Sequence, residues 1–211
     1  MEVMFDNELI SVNIIRKDNK NLYFRFSDDL TLTITCNKRI SEKDILKLIE
    51  ENIKPLTKMY QKAKKKSEFN ANFHYLGDTY TIVVDPNISE VTIDGSFIFT
   101  PNKKALDKFL NNETNRIFTN RSLIWKEVMD FVPDFKLKIR KMRTRWGVCN
   151  KTNRIITLNS ELIKRDLGII DYVIIHELCH FKYPNHQKEY WDLVGCYYPN
   201  YKRARKILKE G

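Results

Sequence analysis

The sequence lacks the patterns typical of a membrane protein, a secreted protein or a zinc ribbon. No apolar run approaches the roughly 18 residues that span a bilayer, and the N-terminal stretch MEVMFDNELI has acids where a signal peptide has a basic region. Cysteines are few and form no C-x-x-C pair; they stand singly at Cys36, Cys149, Cys179 and Cys196. We therefore expect a soluble, cytoplasmic protein with reduced thiols and no contact with a membrane.

Acidic residues are in deficit. The 211 residues include 37 Lys and Arg against 27 Asp and Glu, which gives a formal net charge of +10. Such an excess permits contact with polyanions, so nucleic acid is a candidate partner beside acidic peptides. Lysine-rich chains are often basic without binding nucleic acid, so the charge alone assigns no partner.

Histidine is scarce as well, and three of the four histidines fall between Asp171 and Trp191. There His176, Glu177 and His180 form an H-E-x-x-H pattern. At about 100° per residue, a helix places the two imidazoles one turn apart on one side, with the carboxylate beside them. Neutral imidazoles so arranged suit Zn²⁺, and Glu177 is then the general base that takes a proton from water.

A catalytic zinc needs a third protein ligand, and His186 is the best candidate. It follows His180 by six residues, and Pro184 is expected to have ended the helix, so the chain can turn back to the metal. We expect Asn185 to cap a further helix that begins at His186. The alternative ligands are Cys179, Glu189 and Asp192.

The residues around the motif indicate a buried helix, because they are apolar on nearly every side. They are Tyr172, Val173, Ile174, Ile175 and Leu178. Two histidines and a glutamate would be costly to bury there unless something paired with them. A metal ion is therefore favoured over a pair of core histidines, and Cys179 is interpreted as a small core residue.

The segments HELCH and NHQKEYW, preceded by RWGVC and ITLN, resemble the YgjP-like family of zinc metallopeptidases, which is related to the SprT-like proteases. The resemblance is close from Ile139 to Tyr201, although Val148 stands where the family usually has serine. It implies a zincin-like fold, a zinc cofactor and a peptide or protein substrate. It also implies three zinc ligands and one catalytic base, which are His176, His180, His186 and, as the base, Glu177.

The predicted fold class is α+β, with a boundary near Pro101–Asn102. Residues 1–100 alternate polar and apolar positions over several segments, which predicts an antiparallel β-sheet region with one helix. Residues 101–211 are predicted to form a mainly helical, zincin-like metallopeptidase domain with a short sheet.

Two local signals in the first region are specific. Ser41 is a good N-cap for a helix that extends to about Lys65, and Pro55 should kink or divide this helix. The dipeptide Asp94-Gly95 predicts a β-hairpin.

In the second region, Ile155–Asn159 is predicted to be an edge strand beside the helix that carries His176 and His180. By analogy with metallopeptidases, such a strand binds an extended peptide by β-augmentation.

Arg143 and Arg145 precede this strand, and we favour Arg145 as a catalytic residue that binds a substrate anion or stabilises the oxyanion. In the alternative interpretation, one of these arginines stacks on Trp146. Gly147 is assigned to a turn.

Three functions are compatible with these features. The leading hypothesis is a zinc metallopeptidase. The second is a zinc-dependent nucleoside triphosphate hydrolase, which the net charge permits, although no glycine-rich phosphate loop is visible. The third is a nucleic-acid-associated protein with a structural zinc, but structural zinc is normally closed by four protein ligands and only three are evident.

Overall fold

The structure is a computed structural model that describes residues 1–5, 8–18, 21–27 and 29–210. Runs of strands are followed by runs of helices along the chain, which confirms the α+β class. The chain divides into two compact units, and the division falls between Ala71 and Asn72. This position is earlier than the predicted boundary near Pro101–Asn102.

The first unit contains a four-stranded sheet with the order β1-β2-β4-β3. Its strands are β1 (Glu2–Phe5), β2 (Glu8–Lys17), β3 (Tyr23–Phe26) and β4 (Leu32–Asn37). The β1/β2 and β3/β4 pairs are antiparallel, as expected, but β2 and β4 run parallel, so the sheet is mixed.

The helical segment of the first unit consists of two helices, α1 (Glu42–Glu51) and α2 (Ile53–Ala71). Ser41 caps α1 as predicted, since its hydroxyl accepts the Asp44 N–H at 3.2 Å. The break between the two helices is at Asn52, so Pro55 lies in the first turn of α2, where a missing backbone N–H costs little.

The second unit begins with another four-stranded sheet, with the order β5-β6-β8-β7. Its strands are β5 (Phe73–Tyr75), β6 (Asp78–Val84), β7 (Thr92–Asp94) and β8 (Phe97–Thr100). The predicted hairpin at Asp94-Gly95 joins β7 to β8, and Gly95 has a φ of +51°. Tyr75 is buried in the core of this unit, and the Leu76 N–H donates to the Ile163 carbonyl at 2.8 Å. These contacts explain why the strands before Pro101 belong with the residues that follow it.

The rest of the second unit is helical around a three-stranded sheet with the order β10-β11-β9. The strands are β9 (Lys136–Arg140), β10 (Gly147–Asn150) and β11 (Ile155–Asn159). The helices are α3 (Lys103–Val128), α4 (Leu167–Cys179), α5 (Lys188–Tyr197) and α6 (Tyr201–Glu210), with a short 3-10 helix at Ser160–Lys164. No helix among the described residues combines the length and the apolar character needed to cross a membrane.

Helix α4 lies at the centre of this unit's hydrophobic core. Ile170, Ile175 and Leu178 are completely buried, and Asp171 forms an ion pair with Arg121 of α3. The Asp166 carboxylate caps the helix by accepting the Ile169 N–H at 3.0 Å. The core therefore fixes the helix that carries the H-E-x-x-H pattern, as the apolar flanks predicted.

Candidate metal centre

Helix α4 presents His176 and Glu177 from its last turn, and His180 follows as its C-cap. The helix ends at Cys179, before Pro184, so the proline is not what stops it. The His180 Nδ1–H donates a hydrogen bond to the Tyr183 carbonyl, at a distance of 3.1 Å. That bond fixes the ring and leaves Nε2 as the lone-pair nitrogen, the usual arrangement for a metal-binding histidine.

His186 reaches the same point from the loop before α5. The prediction that a helix begins at His186 is wrong, because α5 starts at Lys188 with Gln187 as its N-cap. The His186 ring is held by stacking on Trp191, with centroids 5.4 Å apart and planes at 25°. Trp191 in turn stacks on Tyr201 at 5.3 Å and 14°. Aromatic stacking therefore positions this histidine where helical backbone does not.

The three imidazoles converge on one point. One nitrogen from each of His176, His180 and His186 lies within 4.8 Å of the other two. The Nε2 atoms of His176 and His186 are 3.2 Å apart. Two nitrogens at about 2.0 to 2.1 Å from a tetrahedral zinc lie roughly 3.3 Å apart, so the donor set and this spacing fit such an ion.

The electrostatics keep these imidazoles neutral near pH 7. Burial and, to a smaller extent, the charges of His180, His186 and Arg205 together lower the pKa of His176 to about 3. Burial also lowers the pKa of His180 and of His186. A metal ligand must offer a lone pair rather than a proton, so a cation would not have to compete with protons here.

Glu177 is 5 % exposed and lies against β10. Burial raises its pKa, and a backbone hydrogen bond from Cys149 and the charge of Arg145 lower it, with a net pKa of about 8. Gly147 belongs to β10 rather than to a turn, and its role is different from the predicted one. A Cβ added there would lie 2.6 Å from the Cγ and Oε1 of Glu177, so the glycine makes room for the carboxylate.

Arg145 lines the cavity at the metal centre, and its charge acts on Glu177. Neither Arg145 nor Arg143 stacks on Trp146; the guanidinium over that ring belongs to Arg165, at 5.5 Å. The backbone of the loop is held by Asn159, which the sequence did not single out. Its side-chain Nδ2 donates to the carbonyls of Met142 and Arg145 at 3.0 and 2.9 Å.

Strands β9 and β10 are the two outer strands of this sheet, and β10 is the one that lines the cavity at the metal centre. Strand β11 (Ile155–Asn159) pairs with β10 on one side and with β9 on the other, so it has no free edge. The prediction that Ile155–Asn159 is an edge strand is therefore wrong. Hydrophobic alternation identifies a strand without its partners, so it indicates neither the parallel β9/β11 pairing nor the short strand β10.

The other proposed ligands lie elsewhere. Cys179 is completely buried in the hydrophobic core, and Asp192 forms an ion pair with Lys188 at 3.2 Å. The remaining histidine, His74, is on β5 and lies 3.2 Å from the Thr79 hydroxyl. Within the described chain, the metal-binding cluster consists of histidines alone.

A cavity of about 580 Å³ opens beside the three histidines. Residues of β10, α4 and α6 contribute to its wall, and Glu177 is the one carboxylate among its described lining residues. Sequence reasoning missed Arg205 of α6, which lines the cavity and whose charge reaches His176 and His186. No motif links α6 to α4, so the sequence contained no signal for this residue.

The comparison with protein families agrees with the motif. A family model described as YgjP-like, metallopeptidase domain, matches residues 20–211. The crystal structure of the metallopeptidase zymogen of Pyrococcus abyssi abylysin is similar over 44% of this chain and 87% of that chain, with 22% identity and a TM-score of 0.37. The jannalysin zymogen of Methanocaldococcus jannaschii is similar over 48% and 95%, with 19% identity and a TM-score of 0.35. No curated protein matches the sequence.

Proposed function

Because the chain belongs to the YgjP-like metallopeptidase family, we propose that it is a zinc-dependent metallopeptidase that hydrolyses peptide bonds with Glu177 as the general base. The convergence of His176, His180 and His186 is the observation that carries this proposal. Three neutral imidazoles are a donor set typical of catalytic zinc, which keeps one further position for water.

When bound, the zinc ion would lower the pKa of water and polarise the scissile carbonyl. The protein residues supply the rest of the chemistry. His176, His180 and His186 would hold the ion, and the Glu177 carboxylate would take the proton from water and pass it to the leaving amine. Burial raises the pKa of this carboxyl to about 8, and the positive charge of a bound ion would lower it and so favour the carboxylate form that a general base requires.

Arg145 is proposed to act on the substrate from the neighbouring loop. Its backbone is fixed by the bond from Asn159 Nδ2 to its carbonyl at 2.9 Å, and its side chain lines the cavity. A guanidinium there can donate to a substrate carbonyl or to the oxyanion that develops from it.

Strand β10 is proposed to bind the peptide backbone. The Asn159 N–H donates to the Trp146 carbonyl at 2.9 Å, and the antiparallel register continues as Gly147 opposite Leu158. Hydrogen-bonded pairs alternate along such a ladder, so the backbone groups of Gly147 and Cys149 point away from β11. The Cys149 N–H already donates to Glu177, which leaves the Gly147 groups and the Cys149 carbonyl for a peptide. Since β10 also lines the cavity, a peptide paired with its edge would cross the metal centre.

Replacement of the proposed base separates metal binding from chemistry. Glu177→Gln keeps the shape of the side chain and removes its basicity, so we expect full zinc content and a loss of peptide hydrolysis of at least 10²-fold. Zinc is measured by elemental analysis and hydrolysis with an unbiased peptide library. Full activity in this variant would show that the base lies elsewhere.

A second candidate function is hydrolysis of nucleoside triphosphates, which the basic side chains along the cavity favour. The same preparation should therefore be offered nucleoside triphosphates in parallel. Phosphate release without peptide cleavage would overturn the leading proposal. A structural zinc is disfavoured, since the cluster among the described residues has three protein ligands rather than four.

A further inference from the structure

The cavity beside the histidine cluster is lined by cationic side chains. Arg145, Lys151, Arg205 and Lys209 all contribute to its wall, against the single carboxylate of Glu177. By contrast, two arginines of α3 in the same unit are paired with carboxylates: Arg116 with Glu113, and Arg121 with Asp171.

Three of these cations are not neutralised by a salt bridge. Among the described residues, Arg145, Lys151 and Arg205 form no salt bridge with a carboxylate. Like charges gathered around one cavity repel each other, and a divalent cation among them would add to the repulsion. An anionic group in the cavity would relieve it.

Arg205 is the best placed of the three. Its guanidinium lies 4.5 Å over the Trp191 ring, and Trp191 stacks on His186. Arg205 lines the same cavity as His176 and His186. Stacking on an aromatic face restricts the guanidinium and leaves its N–H groups at the edge to donate.

We infer that this basic wall, with Arg205 as its specificity-determining residue, binds a carboxylate of the peptide substrate next to the scissile bond. The inference rests on the proposed peptidase function and names its substrate class. The carboxylate has two sources, an acidic side chain or the free C-terminus of the peptide. Arginine is suited to either, because its planar N–H groups match a carboxylate in a bidentate way.

Matched peptides test the inference on the zinc-loaded, full-length protein. Peptides with Glu or Gln beside the cleaved bond test for a side-chain carboxylate, and peptides with a C-terminal acid or amide test for the free terminus. We expect kcat/KM for one acidic form to exceed that of its amide by about tenfold or more, as for a hydrogen bond to a charged group. Equal rates for both pairs would overturn the inference.

Variants of α6 assign the preference to one residue. In Arg205→Gln we expect the ratio of kcat/KM for the acidic peptide to kcat/KM for its amide to fall to about one. Arg205→Lys should keep part of this preference. Arg203→Gln is the matched control, since it makes the same charge change on the same helix and Arg203 does not line this cavity. An unchanged ratio in Arg205→Gln would contradict the assignment.

Arg205 contacts Trp191, so its replacement could disturb His186. Two measurements avoid this difficulty. In the unaltered protein, the acidic preference should fall as salt is raised, because screening weakens the attraction. In zinc-loaded Glu177→Gln, fluorescence anisotropy should show tighter binding of the acidic peptide than of its amide. Equal binding at low salt would overturn the inference without any assay of hydrolysis.

The two proposals fail in different ways. If the unaltered protein cleaves peptides with no preference for a carboxylate, the peptidase function stands and the inference is wrong. If no peptide in the library is cleaved, the peptidase function fails.

Discussion

At the scale of the residue, the proposed metal centre combines side chains that are neighbours in the sequence with side chains from distant parts of the chain. His176, Glu177 and His180 come from one helix, so their spacing could be predicted from its periodicity. Trp191 and Arg205 come from α5 and α6, and Asn159 from the end of β11. Their contacts arise only when the chain folds, so no spacing in the sequence could indicate them.

Gly147 gives a residue-scale prediction. In Gly147→Ala the new Cβ would meet Glu177 at 2.6 Å, and the buried carboxylate has little room to move. Since a displacement of about 1 Å at a catalytic group can cost 10²-fold, we expect kcat/KM to fall by roughly that factor with zinc content retained. Steady-state kinetics and elemental analysis measure the two effects.

Gly195→Ala is the control for this change. It lies in α5, and its nearest neighbour would be Tyr201 at 3.5 Å, an ordinary contact. Activity should be unchanged there, and stability should rise by about 0.5 to 1 kcal/mol because alanine favours the helix. An active Gly147→Ala enzyme would mean that Glu177 tolerates displacement or is not the base.

At the scale of the element, the helices and hairpins were easier to predict than the pairing of the strands. Ser41, Pro55 and Asp94-Gly95 act on their immediate neighbours, so their effects could be predicted locally. The parallel pairs β2/β4 and β9/β11 join segments separated in sequence, and nothing in either strand specifies its partner. For this reason alternation alone predicts an edge position for β11, which is in fact the central strand of its sheet.

The free edge of β10 makes an element-scale prediction about the substrate. N-methylation removes one backbone donor from a peptide and leaves its side chains intact. Alternate residues of a paired strand point their N–H groups to the partner, so methylation at one set of positions should lower kcat/KM about fivefold each, as for one lost hydrogen bond.

The intervening positions of the same peptide are the internal control, since their N–H groups point away from β10. Methylation there should have little effect. A loss of equal size at every position would indicate that the peptide is not bound by strand pairing.

At the scale of the whole molecule, the site belongs to one of the two units. The three histidines, Glu177 and the cavity all fall within Asn72–Lys209. The predicted boundary near Pro101 separated β5 to β8 from this unit, because hydrophobic alternation shows that a segment is a strand without showing which core it joins. We propose that the two units are separate domains divided near Ala71.

Metal binding should therefore stabilise the second unit. Zinc at about 100 times its dissociation constant adds roughly 2.7 kcal/mol to the free energy of unfolding, which raises the melting temperature by about 5 to 10 °C for a chain of this size. Hydrogen exchange should show added protection within Asn72–Lys209 and little change in Met1–Ala71. The control is a chain with His176 and His180 replaced by alanine, which should show neither effect, and equal protection of both units would contradict the assignment.

The most direct test of the central claim is anomalous diffraction at the zinc edge from crystals of the zinc-loaded protein. We predict one peak at about 2.0 to 2.1 Å from a ring nitrogen of His176, His180 and His186, with the remaining position held by solvent. A peak elsewhere in the chain, or a fourth protein side chain on the ion, would contradict it.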